Sequence, residues 1–386
     1  MSIVGRVRFG IIAAVAVAIV LALTALTAFA QQGVPSSAKP PNNLPNPYRL
    51  VTGWPTLPAT MVGPHGHKWG EVIRVHVAPD GNIWVFQRCF NDQPNGDASC
   101  LRRGQANPPI LQFDPLGKLL KTFGVGLFAH PHGFTVDPEG NLWASDTNDE
   151  EVILGIPAKN ANGVLLGQEV LKLGPSGMVM MVLGKYGVSG NGPDTFDRPN
   201  GIAVAKNGDI FVADGHYPNK HNNGRIVKFS KDGKFIKAWG KVGTAPGEFD
   251  EPHDLCIGGT EQRLYVADRR NNRIQVFDQD GKYITSWLQF GQPSSVYVDK
   301  NDNIFVGSLF QDPAAPQGQL RGIVIGSVKD GSLKAFIPDP YDLDTLTDTG
   351  TSASGVAEDE QGNIYAGDVG ANNLRKYECI KKAPCL

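Results

Sequence analysis

The stretch His132-Gly-Phe-Thr-Val-Asp-Pro-Glu-Gly140-Asn-Leu-Trp-Ala-Ser-Asp146 decides the fold. An apolar run enters a turn built on Asp, Pro and Gly, and an apolar-aromatic pair leaves it toward a small-small-Asp ending. Two short apolar segments around such a turn read as a β-hairpin. The pattern returns at Asn200–Asp214, His253–Asp268 (one extra residue in its turn), Ser294–Ser308 and Ser354–Asp368, and in degenerate form at Ile73–Gln87. Successive copies start 59, 68, 53, 41 and 60 residues apart.

A second hairpin follows most copies, as in Ile110–Phe123, Arg225–Trp239 and Arg273–Trp287. In these, Asp-Gly or a related pair sits between alternating apolar residues. Two hairpins make a four-stranded meander, which cannot bury both faces alone and must stack on its neighbours. Four strands per unit at this period mark a propeller blade. The expected fold is therefore all-β, a six-bladed β-propeller of four-stranded antiparallel blades. A row of separate hairpin domains, or a β-sandwich, explains the repeated two-hairpin unit poorly. The uneven spacing predicts long loops, chiefly at 147–170, 184–199, 309–321 and 338–352.

Composition agrees. The 386 residues are 41% hydrophobic and 19% charged, with 46 Gly and 28 Pro. So much glycine and proline argues against helical bundles, and the apolar content argues against disorder. A formal net charge of −2 argues against a nucleic-acid partner. Length alone suggests two or three domains, but a propeller of this length is one unit.

Residues 1–30 read as a signal peptide. Arg6 and Arg8 precede an uncharged apolar run from Ile11 to Leu26, and Ala28-Phe29-Ala30 forms a small-x-small cleavage pattern. The alternative is an uncleaved membrane anchor, since Gly10–Ala30 approaches spanning length. Residues 31–50 read as an extended tether and 51–386 as the propeller. Export to the periplasm or outside the cell permits disulfides. Five cysteines leave one odd. Cys89 with Cys100 and Cys379 with Cys385 are the expected bridges, and Cys256, in an apolar strand, is expected to be free.

The first residue of each copy should lie near the central channel: Ile73, His132, Asn200, His253, Ser294 and Ser354. Five of these six are polar, which is unusual at the start of an apolar strand. His132 and His253 share a Pro-His frame, and two imidazoles at one mouth are candidate metal ligands, or else partners in a wet channel. Arg88 and Arg269 follow the hairpin endings and should face the same mouth, where a guanidinium fork suits a carboxylate. His216 and Tyr217 are candidate general bases, or else part of a polar loop. Asp146, Asp214, Asp268 and Asp368 close four repeats, which points to a structural rather than a catalytic role.

These residues resemble a known family. Gly208–Gly215 and Val266–Phe277 look like NHL repeats. The ordered set Phe86-Gln-Arg88, Pro131-His-Gly133, Asp214-Gly215, Gly224–Phe229, Pro252-His-Asp254 and Ala267-Asp-Arg269 resembles the peptidyl-α-hydroxyglycine α-amidating lyases, over roughly residues 50–378. The resemblance implies a zinc held by three histidines, two of which match His132 and His253. The third should open the last repeat, where this chain has Ser354. It also implies a calcium inside the channel, a weaker expectation because its carboxylate position is Gly355. Arg88 and Arg269 match the substrate arginines, and the catalytic tyrosine falls on His216, with Tyr217 one place later. The implied reaction breaks a C–N bond to release an amide and glyoxylate.

Two readings follow. One is a metal-assisted, lyase-like enzyme acting on a small carboxylate-bearing substrate. The other is a non-catalytic ligand- or protein-binding propeller scaffold. The expected partner is a small molecule or peptide at the channel mouth, with a protein partner as a further option. A membrane partner is expected only if the leader is retained, and the chain is expected to be a monomer.

Overall fold

In the computed structural model the stretch quoted first is a hairpin. Strands Pro131–Val136 and Leu142–Asp146 pair antiparallel, Phe134 opposite Ala144 and Val136 opposite Leu142. Asp137 organises the turn: its Oδ1 accepts the main-chain N–H groups of Glu139 and Asn141. Gly140 closes the turn at φ +81°, a conformation that costs glycine little. Asp299 and Asp359 repeat the device in later copies. The structure describes residues 41–59, 61, 69–88, 100, 108–147, 158–216, 221–309, 321–340, 353–380 and 385–386.

Six four-stranded antiparallel sheets form the blades of the expected propeller. Their inner strands are Val72–Val77, Pro131–Val136, Pro199–Val204, Pro252–Gly258, Gln292–Val298 and Gly355–Glu358, for blades one to six. Each inner strand touches those of the two neighbouring blades, and the sixth touches the first, so the ring closes. Blade six takes its outer strand from the beginning of the propeller: Tyr48–Val51 pairs with Asn373–Cys379, Tyr48 opposite Cys379. Thus the last residues of the stretch read as a tether belong to the sheet. The residues before 41 lie outside the described residues.

Hydrophobic clusters fill the spaces between blades. Tyr265, Val276 and Trp287 of blade four meet Val296, Val324 and Phe336 of blade five. Trp84, Phe86 and Ile110 of blade one meet Phe134, Leu142 and Leu171 of blade two. Fully burying a large apolar side chain stabilises by about 1.5–3 kcal/mol, so these faces drive the stacking that a lone meander lacks.

The closing aspartates staple each blade to the segment leading into its own inner strand. Asp146 accepts the N–H groups of Ala129 and His130, Asp214 that of Asp197, Asp268 that of Asp250, and Asp368 that of Ala353. Asp214 and Asp268 also pair with Arg225 and Arg273, at 2.8 and 2.7 Å. Cys379 and Cys385 are bridged, with Cα atoms 5.8 Å apart. Cys100 is disulfide-bonded; its expected partner Cys89 lies outside the described residues. Cys256 is free in the inner strand of blade four, its thiol pushed up to about 12 by burial.

Candidate functional site

The polar ring has a structural cause. In five of the six blades the ladder between inner and second strand slips at the ring position, between Val72 and Arg74, Pro131 and Phe134, Pro199 and Ile202, Pro252 and Asp254, and Pro293 and Ser295. A bulge releases a residue from in–out alternation and re-aims its side chain. Ile73, His132, Asn200, His253 and Ser294 all stand at these slips. Glycine is needed next to His132, because a Cβ on Gly133 would lie 1.9 Å from the Asn200 carbonyl oxygen.

His132 and His253 come together as expected, with ring centroids 4.8 Å apart. His216 joins them, its ring 4.8 Å from His132 and 5.4 Å from His253. One ligand atom from each of the three lies within 4.8 Å of the others, a group that can hold a metal ion. The residue read as a base or a loop residue is therefore the third member of the cluster. Tyr217 lies outside the described residues. Gly215, at φ +127°, makes the turn that delivers His216; a Cβ there would lie 1.9 Å from the Asn223 carbonyl oxygen.

The cluster fits a cation through neutral imidazoles. His132 and His253 are each 1% exposed. Burial pushes both well below the usual histidine range, with neighbouring histidines and Arg88 adding at His132, and Arg269, Arg74 and Arg88 at His253. The Nδ1 of His253 is 2.6 Å from the Ser294 carbonyl oxygen. That bond places the proton on Nδ1 and leaves a lone pair on Nε2, as in outer-shell orientation of metal-binding histidines. Among the described residues neither ring nitrogen of His132 has a hydrogen-bond partner. Buried polar atoms are usually hydrogen-bonded or metal-bound, so these nitrogens are placed to take a donor, a water or an ion.

Arg88 and Arg269 reach this mouth from blades one and four, each already held by a glutamate. Arg88 Nη1 is 2.9 Å from Glu71 Oε2, and its Nε donates to the Pro131 carbonyl. Arg269 Nη2 is 2.7 Å from Glu251 Oε1. The same oxygen is 3.1 Å from His216 Nε2. Glu251 is 4% exposed, and burial raises its carboxyl against the opposing pull of Arg269, Arg270 and Arg198. Its φ of +63° just before Pro252 matches that of Arg198, +62° before Pro199, so this conformation belongs to the entry of the inner strands. Glu71 and Glu251 escaped sequence reasoning. Their signal was positional: each precedes an inner strand and sits 17 or 18 residues before its arginine.

Elsewhere in the channel is a cavity of about 720 Å³. It runs from Arg74 and Asp254, past His76, Cys256 and Tyr297, to the turn at Gln361. None of the three clustered histidines lines it. We place the candidate site at the histidines because the titratable and orphaned groups converge there.

Fold and site together define a six-bladed β-propeller carrying a histidine–arginine cluster at one end of its channel. Residues 196–320 match a family described as a 6-bladed beta-propeller, DUF5128. Over 339 residues the chain is 30% identical to peptidyl-glycine alpha-amidating monooxygenase A of Xenopus laevis, covering 81% of this chain and 32% of that protein. It is 31% identical over 255 residues to peptidyl-alpha-hydroxyglycine alpha-amidating lyase 1 of Drosophila melanogaster, covering 62% and 42%. NHL repeat-containing protein 3 of Homo sapiens is 28% identical over 224 residues, covering 58% and 54%. The chain thus spans about a third to a half of the length of these curated relatives. Among solved structures, a gluconolactonase of Xanthomonas campestris superposes with a TM-score of 0.52 at 16% identity, covering 89% of this chain and 97% of that one. That last likeness shows the fold alone.

Proposed function

We propose that the protein is an exported, metal-assisted lyase of the amidating type, which cleaves a C–N bond in a small carboxylate-bearing α-hydroxyglycine substrate. The observation that carries this reading is the three-imidazole cluster, with both nitrogens of buried His132 lacking a hydrogen-bond partner among the described residues. His132, His216 and His253 would hold a divalent ion, and zinc suits an all-nitrogen set with an open position. When bound, the ion would supply a Lewis acid to the substrate hydroxyl. Arg88 and Arg269 retain N–H groups beyond their glutamates and orient the substrate carboxylate. Glu251, beside His216 and Arg269, accepts the hydroxyl proton. The C–O bond becomes a carbonyl as the C–N bond breaks, and the departing nitrogen takes a proton, giving an amide and glyoxylate. The apolar leader and the Cys379–Cys385 bridge support a periplasmic or secreted protein.

The test is glyoxylate release from an α-hydroxyglycine peptide by zinc-loaded protein, with metal content measured in parallel. Turnover lost in His132→Ala supports the reading. A zinc-loaded protein that releases no glyoxylate refutes the activity, and a protein that binds no metal refutes the centre. A second reading, a non-catalytic binding propeller, is favoured by the engagement of both arginines with glutamates and by Ser354 in place of a last-blade histidine.

A further inference from the structure

The channel holds a charged group that neither the histidine cluster nor the proposed chemistry uses. Arg74, the second residue past the start of the blade-one inner strand, is 3% exposed. Its Nη1 donates to the carbonyl oxygens of Ile73, at 2.8 Å, and Ser354, at 2.5 Å. Its Nη2 donates to the carbonyl oxygen of His253 at 2.9 Å. Its Nε lies 3.5 Å from Asp254 Oδ1. One guanidinium thus gathers oxygens from blades one, four and six, which no contact within a blade could join.

This arrangement does not fit the calcium that the family resemblance implies. Carbonyl and carboxylate oxygens are calcium-type ligands, but here a side-chain cation already takes them. The carboxylate position is closed as well. A Cβ on Gly355 would stand 2.6 Å from the Arg74 Cα and 2.7 Å from the Val75 nitrogen, so the backbones of blades one and six approach too closely for any side chain.

We infer that Arg74 is the resident cation of the channel, replacing a divalent ion with a covalently attached guanidinium that knits three blades together. Its positive charge cannot be chelated away or lost by deprotonation, since an arginine stays protonated at any ordinary pH. Its contact with His253 is to the carbonyl oxygen, not to the imidazole that joins the cluster. The inference concerns different atoms from the metal centre proposed above and stands whether or not that centre binds zinc.

The experiment strips the purified protein of metal, removes the chelator, and measures melting with and without millimolar calcium, zinc being added only in a separate arm. Wild-type protein should melt within about 1 °C with and without calcium. Arg74→Met should melt roughly 4–7 °C lower, because it leaves Asp254 and three carbonyl oxygens without their cation. Calcium should raise the melting temperature of that variant, whose vacated oxygens form a hard-cation site. A calcium-dependent rise in the wild type overturns the inference, and so does an equal calcium response in both proteins. Should Arg74→Met fail to fold, Arg74→Gln takes its place, and the wild-type response remains decisive. The zinc arm reports on the histidines alone, so the two readings fail separately.

Discussion

Replacing His132 with leucine should make the metal-free protein more stable and the metal-treated protein less so. The side chain is 1% exposed, and among the described residues neither ring nitrogen has a hydrogen-bond partner. A buried polar group left without its partner costs about 1–3 kcal/mol, whereas an apolar side chain of similar size in the same place costs little. His132→Leu should therefore gain about 1–3 kcal/mol when no metal is bound. Roughly 2.1 cal/mol/K of unfolding entropy per residue, over the about 350 residues of the Pro40–Leu386 unit, gives about 0.7 kcal/mol/K. The gain is then a rise of about 1–4 °C in melting temperature. An ion at a thousand times its dissociation constant stabilises the wild type by about 4 kcal/mol, or roughly 6 °C. The variant, with one of three ligands gone, should gain little. The assay is thermal unfolding of both proteins in chelator and in excess zinc, and the order of the two should reverse between conditions. A wild type that melts above His132→Leu in chelator, and does not respond to zinc, would show that the orphaned nitrogens are not a vacant ligand set.

Three further outcomes follow from the same geometry. Gly215→Ala should cost roughly 2–4 kcal/mol, since it adds both the strain of φ +127° and a Cβ 1.9 Å from a carbonyl oxygen; it should also weaken metal binding by displacing His216, read by denaturant unfolding and zinc titration. Glu251→Gln leaves the partly buried Arg269 without its carboxylate and should destabilise by about 1–3 kcal/mol, while lowering metal affinity about 10–100-fold through His216. Burial, with Asp299 and Asp359 nearby, pushes the Glu358 carboxyl up to about 8, so its folded form prefers the proton. The stability it contributes is present below its unfolded value and is lost as pH rises through about 8; melting temperature should fall across that window, and Glu358→Gln should flatten the fall.

The blades were legible because hairpins are local. Each turn carries its own signal within a few residues, as Asp137 and Gly140 do, and the apolar run on either side fixes the register. The closing strand was not legible in the same way. Tyr48–Val51 is only four residues long, and its partner Asn373–Cys379 lies at the far end of the chain, so nothing nearby marks it as a strand. The site divides likewise. The matched Pro-His frames of His132 and His253 exposed the ring, while Arg74 stayed hidden because its partners His253 and Ser354 are 179 and 280 residues away. What it touches is decided by ring closure, which no local pattern records.

Ring closure also explains how side chains from different blades reach one place. Blade six offers Ser354 and Gly355 where the resemblance calls for a histidine and a carboxylate. The third imidazole of the cluster instead comes from His216, just after the second strand of blade three, and the channel cation from Arg74 of blade one. In a linear fold a donor lost from one element cannot be supplied by another several repeats away. In a six-membered ring every inner strand begins beside the same axis, so a donor from any blade arrives within a few ångströms of the same point. The guanidinium of Arg74, bonded to the main chains of blades one, four and six, demonstrates that reach. Gly355 marks the same closure in the backbone: a Cβ there would stand 2.6 Å from the Arg74 Cα, so blade six meets blade one main chain to main chain.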